Sequence, residues 1–205
     1  MGKNFDFKIW QQYKEGDEKA FSYIFDTYHD QLFEYGIRLT IDHEIVRDSI
    51  QDIFFELASR RSYISGTDNI LSYLLKSVRH KIFQNIKKKK HVQSYIENLD
   101  KEEFLLDYST EVSAEEKELK LNLVAKAINK LSPRQKEVIY LKFYKNLSNK
   151  EVAEIMNIRA QSVSNSIQKS IIKLKEILNS SPKTIIFLFR VYCKIKKTES
   201  TDYIV

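Results

Sequence analysis

Between Leu147 and Leu178 the chain carries two helical patterns separated by a short break, and this pairing restricts the fold more than any other feature. The first pattern, Asn149–Asn157, places Val152, Ala153 and Met156 on one face. The second places Val163, Ile167, Ile171, Leu174 and Leu178 three or four residues apart, which makes one continuous apolar stripe at helical period. The break is Asn157-Ile158-Arg159-Ala160. Asn tolerates a left-handed backbone better than most non-glycine residues, so it suits a tight turn. Small Ala153 falls where two crossing helices must approach closely. The expected unit is a helix-turn-helix.

The face opposite the second stripe presents Gln161, Ser162, Asn165, Ser166 and Lys169. Short polar side chains with one cation suit a helix that enters the major groove, where base edges must be reached without bulk. Lys173 and Lys175 lie further along, and Arg159 lies in the turn, all placed for phosphates.

Helix starts are written elsewhere too. Ser132-Pro133-Arg134-Gln135 combines a capping Ser, a Pro at the first helical position and a Gln at the third. Ser148-Asn149-Lys150-Glu151 repeats the box, and Ser113 with Glu116 forms another. Nearer the N-terminus, a short helix around Phe7–Tyr13 should end at Gly16, with Asp17 capping the next. There Ala20, Phe21, Ile24, Tyr28, Leu32 and Tyr35 form the apolar stripe. A third helix over Asp42–Arg60 buries Val46, Ile50, Ile53, Phe54 and Leu57. A turn with Gly66 and a fourth helix over Asn69–Lys90 follow. Only four Gly and two Pro occur in 205 residues, too few for the turns of an all-β protein. The expected fold is all-α, with two helical domains over 1–92 and 113–180. An acidic flexible linker over 93–112 joins them, and a tail of unassigned role follows at 181–205.

Charge is unevenly placed. Residues 1–93 carry a net +2, residues 94–120 a net −6, and residues 121–205 a net +10. A basic C-terminal block points to a polyanion partner. The single cysteine, Cys193, excludes an internal disulfide and a Cys-rich zinc site. His29, His43, His80 and His91 show no metal spacing, and no P-loop or Gly-rich dinucleotide turn occurs. No metal, cofactor or enzymatic activity is expected. The longest apolar stretch, Ile185–Cys193, is too short to span a bilayer and contains Arg190. The N-terminus lacks the apolar run of a signal peptide. A cytoplasmic protein without membrane insertion is therefore expected.

Several motifs together resemble the extracytoplasmic-function group of the sigma-70 family. Gly16-Asp17-Glu18-Lys19-Ala20-Phe21 is similar to the opening of the family's region 2. Val46-Arg47-Asp48-Ser49-Ile50-Gln51-Asp52-Ile53-Phe54 resembles its polymerase-binding helix. Tyr73-Leu74-Leu75-Lys76-Ser77-Val78-Arg79-His80, followed by Lys87–Lys90, resembles its promoter-melting helix. Leu131–Val138 is similar to the start of region 4, and Leu147–Met156 to its first helix-turn-helix helix. The chain departs from the pattern at Tyr73, His80, Gln84 and Asn157, where the family often has Trp, Asn, Asp and Gly. It also lacks the family's common Arg or Lys at Ser164 and Ser166.

The resemblance implies a factor that brings core RNA polymerase to promoter DNA. Asp48, Gln51, Asp52 and Phe55 would face the polymerase, where a carboxylate-bearing face suits a cationic surface. Arg61, Tyr63, Asn69, Tyr73, Lys76, Arg79, His80, Lys87 and Lys88 would hold the opened −10 strand, with cations on phosphates and aromatics on bases. Arg159, Gln161, Ser162, Asn165, Ser166, Lys169 and Lys173 would dock on the −35 duplex. Free chains would be monomers, and an anti-sigma factor is a partner that the family admits. The competing reading is a helix-turn-helix repressor or activator that melts no promoter. It accounts for the second domain but not for the cationic, aromatic helix at 69–90.

Overall fold

The computed structural model describes residues 3–93, 124–179 and 184–186. Among them every regular element is helical. The chain divides into two compact units, Met1–Glu103 and Phe104–Val205. The expected linker beyond residue 93, the helix start at Ser113 and most of the tail lie outside the described residues.

In the first unit α1 spans Lys3–Glu15, α2 Glu18–Leu39, α3 His43–Ser59 and α4 Ile70–Gln93. A single 3-10 turn, Arg61–Tyr63, precedes α4. Gly16 adopts φ +105°, a left-handed value natural to glycine, and ends α1 as expected. The Asp17 carboxylate accepts from the Lys19 N–H at 2.8 Å and so starts α2. Helix α1 is longer than the Phe7–Tyr13 expectation because both of its ends are engaged. Trp10 and Tyr13 are wholly buried, and the Tyr13 hydroxyl donates to the Leu57 carbonyl at 2.6 Å. Burial raises the Tyr13 phenol to about 12. Asp6 accepts from the Tyr28 hydroxyl and from the N–H of Ile70, so α1 also caps α4.

Helices α2, α3 and α4 pack against one another. The five apolar residues expected on α3 are all buried, as are Ile24, Tyr28, Leu32 and Tyr35 of α2. Gly36 lies where α2 meets both α3 and α4. A Cβ placed there would stand 2.5 Å from Val46 Cγ1 and 3.2 Å from Ile82 Cδ1, so a side chain would push α3 and α4 away.

In the second unit, residues 124–129 form α5 and Pro133–Ile139 form α6. Helix α6 continues into a π-helical turn, Tyr140–Tyr144, in which the Lys145 N–H donates five residues back to the Tyr140 carbonyl at 3.1 Å. Helix α7 spans Asn149–Met156 and α8 Ala160–Leu178. Both capping boxes read at 132–135 and 148–151 form with reciprocal bonds. The turn between α7 and α8 has Asn157 left-handed, at φ 51°. The stripe of α8 is less uniform than its apolar spacing suggests. Val163 and Leu174 are buried, whereas Ile167, Ile171 and Leu178 are half-buried. Between them Ser170 is wholly buried, its hydroxyl donating to the Ser166 carbonyl at 2.7 Å. A hydroxyl that satisfies itself within its own helix can join an apolar seam without an unmet polar group. In the tail, Ile185 is buried.

Candidate nucleic-acid interface

Helix α8 turns its polar side outward. Gln161, Ser162, Asn165 and Lys169 are exposed, and Ser166 is half-buried. At 100° per residue Asn165 lies opposite the buried pair Val163 and Leu174. Gln161 Nε2 donates to Asn165 Oδ1 at 3.0 Å. Arg159 is exposed at the N-cap position, where the first turn of α8 leaves backbone N–H groups pointing outward. Lys173 is exposed too, but its ammonium donates to the Lys130 carbonyl at the end of α5. That contact holds α8 against α5, so Lys173 serves the packing of this unit before any phosphate. Gln168, exposed three residues beyond Asn165 on the same side, was absent from the expected set; its spacing was the available signal.

On α4, residues 69, 73, 76, 80, 83 and 87 recur at alternating spacings of four and three, so they share one face. Lys76, His80 and Lys87 are exposed there, with Lys88 on the flank. His80 Nε2 is hydrogen bonded to Gln84 at 2.7 Å. Arg79 stands over the Phe83 ring at 4.6 Å, a cation–π contact that fixes its guanidinium along the helix. Tyr73 is half-buried against Trp10, with ring centroids 5.0 Å apart, and burial pushes its phenol above the ordinary value of 10. Its ring is therefore part of the α1–α4 packing. Asn69 accepts from the Ser72 N–H at 2.9 Å and caps α4.

The loop before α4 is anchored rather than loose. Trp10 Nε1 donates to the Ser65 carbonyl at 3.0 Å, and the Thr67 hydroxyl donates to the Asn69 carbonyl and accepts from the Asn69 N–H. Arg61 lies over the Tyr13 ring at 5.9 Å, half-buried. From this anchored loop Tyr63 projects with 90% of its surface exposed. A ring that large, held by a fixed backbone and left open by the described residues, is a ready stacking platform.

Asp48, Gln51, Asp52 and Phe55 all face solvent on α3, and Phe55 is 71% exposed. Asp48, Gln51 and Asp52, with Glu44 and Ile45, line a groove of about 500 Å³ whose other wall is Asn85 and Lys89 of α4. Three polar links cross this groove's flank at four-residue intervals along α4. Lys81 bridges Asp52 at 3.4 Å and Glu56 at 2.8 Å. Asn85 donates to Ser49 Oγ at 3.1 Å, and Lys89 bonds Asp42 at 2.6 Å. The acidic face of α3 is thus held in register with the cationic face of α4. Lys81 and Lys89 are drawn towards carboxylates, while Lys76, Lys87 and Lys88 remain on the outer side.

Among the described residues no three metal-ligating side chains come together, and no helix is long and apolar enough to cross a membrane.

Residues 121–174, which contain α5 to most of α8, match the family model described as Sigma-70, region 4. The structure of CnrH, solved in complex with the cytosolic domain of CnrY, superposes with a TM-score of 0.55 at 18% identity, covering 85% of this chain and 97% of that one. The sigma factor RpoE from Bartonella quintana, solved in complex with the anti-sigma factor NepR, superposes with a TM-score of 0.57 at 21% identity, covering 80% of this chain and 99% of that one. No curated protein sequence matches the chain. The all-α expectation is borne out, and the resemblance to the sigma-70 family is met by the region 4 match over residues 121–174; beyond that match the two solved structures share the chain's fold.

Proposed function

We propose that the chain is a sigma factor of the extracytoplasmic-function type, which directs core RNA polymerase to promoters and opens them. The observation that carries this reading is a coincidence of two independent lines. The region 4 match falls on the helix-turn-helix whose outer face is polar and exposed. In the other unit, the outer face of α4 is cationic and that of α3 is acidic with an exposed Phe.

In this reading α8 enters the major groove of the −35 duplex through Gln161, Ser162, Asn165 and Ser166, while Arg159 and Lys169 approach phosphates and Lys173 holds α8 to α5 beside them. Helix α3 grips the polymerase through Asp48, Gln51, Asp52 and Phe55. The opened −10 strand runs over Tyr63, Lys76, His80, Lys87 and Lys88, with Arg61, Asn69, Tyr73 and Arg79 shaping the surface beneath it. Domains over 1–92 and 113–180, joined by an acidic linker, would let two weak DNA contacts act together through effective concentration once polymerase holds both. The chain makes and breaks no bonds itself, needs no cofactor, works in the cytoplasm and is a monomer when free. A protein regulator is also proposed, since RpoE was captured with an anti-sigma factor.

The test is reconstitution of the full chain with core polymerase, followed by sequencing of transcript 5′ ends. Defined start sites that share an upstream element are expected. Random start sites overturn the proposal. Dimeric binding to a symmetric operator, without binding to polymerase, would instead establish a repressor or activator.

A further inference from the structure

The outer face of α8 lacks the side chains that read guanine. No Arg or Lys occurs from Ala160 to Gln168. Guanine shows two acceptors, O6 and N7, in the major groove and is matched by a double donor such as Arg. Adenine shows one acceptor, N7, beside one donor, the N6 amine, and is matched by an amide. The N-terminal half of a recognition helix is the part that meets base edges, and here it holds two exposed amides, Gln161 and Asn165.

Those amides are already paired, Gln161 Nε2 donating to Asn165 Oδ1 at 3.0 Å. Whichever amide donates, the pair still offers one unbonded carbonyl oxygen and three N–H bonds to the groove. Pairing also fixes both side chains before DNA arrives, so less rotamer freedom is lost on binding. The neighbouring Ser164 does not compete. It is half-buried, accepts from Asn149 Nδ2 at 3.0 Å and donates to the Ala160 carbonyl at 3.2 Å.

We propose that the Gln161–Asn165 amide pair is the specificity element of α8 and that it selects adenine at one position of the upstream duplex. The proposal rests on the promoter-directing function above and adds which base is read and by which atoms. The first cation of α8, Lys169, lies a turn beyond Asn165 and contributes affinity without sequence.

The test is transcription in vitro by the full chain with core polymerase, from a promoter library randomised over the upstream duplex. Adenine enriched at one fixed position is expected. Asn165→Ala should reduce that enrichment about tenfold or more while the start sites stay defined. Asn165→Asp should move the preference from adenine to cytosine, because a carboxylate accepts from the cytosine N4 amine and cannot donate to adenine N7. This gain of a new preference separates lost reading from lost folding. Guanine at that position, or adenine enrichment unchanged in both variants, overturns the inference and leaves promoter direction intact. No upstream preference from the unaltered chain overturns the function on which it rests.

Discussion

Lys89, near the end of α4, bonds Asp42, the residue that starts α3, with Nζ 2.6 Å from Oδ2. Asp42 also accepts from the Ile45 N–H at 3.2 Å, so one carboxylate caps a helix and holds its neighbour. The Lys89 bond, then the Ile45 N–H, keeps the Asp42 carboxyl below its ordinary value of 3.8. A carboxyl lowered in the folded state stabilises fully above its unfolded value and loses that contribution as pH falls through the folded value. Asp42→Ala should cost about 1 kcal/mol at neutral pH through the lost cap. Asp42→Asn keeps a capping oxygen and should lose less, and its stability should fall less on acidification. Urea denaturation of each variant at pH 7 and pH 3 checks both statements.

Gly36→Ala should destabilise the first unit by about 1–3 kcal/mol, because the added methyl would meet Val46 at 2.5 Å inside a packed three-helix contact. The midpoint of urea unfolding should drop accordingly. An unchanged midpoint would mean that α3 and α4 yield without cost.

Phe55→Ala should leave the melting temperature within about a degree or two, since the ring is 71% exposed and a surface change of this kind is worth about 0.5 kcal/mol or less. It should weaken binding to core polymerase by about 2 kcal/mol, the scale of an aromatic anchor at an interface. Titration of labelled protein with core polymerase reads the difference.

Tyr73 and Lys76 should separate on the same helix. Tyr73→Ala removes a ring packed on Trp10 and should lower stability by about 2 kcal/mol or more. Lys76→Ala should leave stability unchanged and weaken capture of single-stranded DNA, reducing the salt slope of binding by about 0.7. Thermal melts and fluorescence anisotropy over a salt series distinguish the two.

Asn157→Gly should be neutral or mildly stabilising, and Asn157→Ala should cost about 1 kcal/mol, because φ 51° is left-handed. Calorimetry of the second unit's transition in the full chain measures both.

The elements that could be read from the sequence were those fixed by local chemistry. Ser132 with Gln135 and Ser148 with Glu151 announce their helices, because the donors and acceptors that close a capping box lie within four residues. Asp17, Gly16 and Asn157 are legible for the same reason. What escaped depends on distant partners. Tyr73 looks like a free ring until Trp10, some sixty positions earlier, is seen against it. Asn69 and Lys173 are polar residues on solvent-facing sequence patterns, yet one caps its own helix and the other holds a carbonyl of α5. Ser170 is polar by type and buried in fact, because its hydroxyl is satisfied within the helix. The links from Lys81, Asn85 and Lys89 to α3 leave only a four-residue spacing in the sequence, which any solvated helix face also shows.

The widened turn at Tyr140–Tyr144 has a consequence for length. Each bond there closes over five residues where an α-helix closes over four, so the helix accommodates one residue beyond regular winding. Excising a single residue from this stretch should let the backbone rewind as ordinary α-helix while the flanking faces keep their azimuth. Relatives one residue shorter at this place would then superpose on α6 and α7 alike, with the gap absorbed inside a helix instead of a loop.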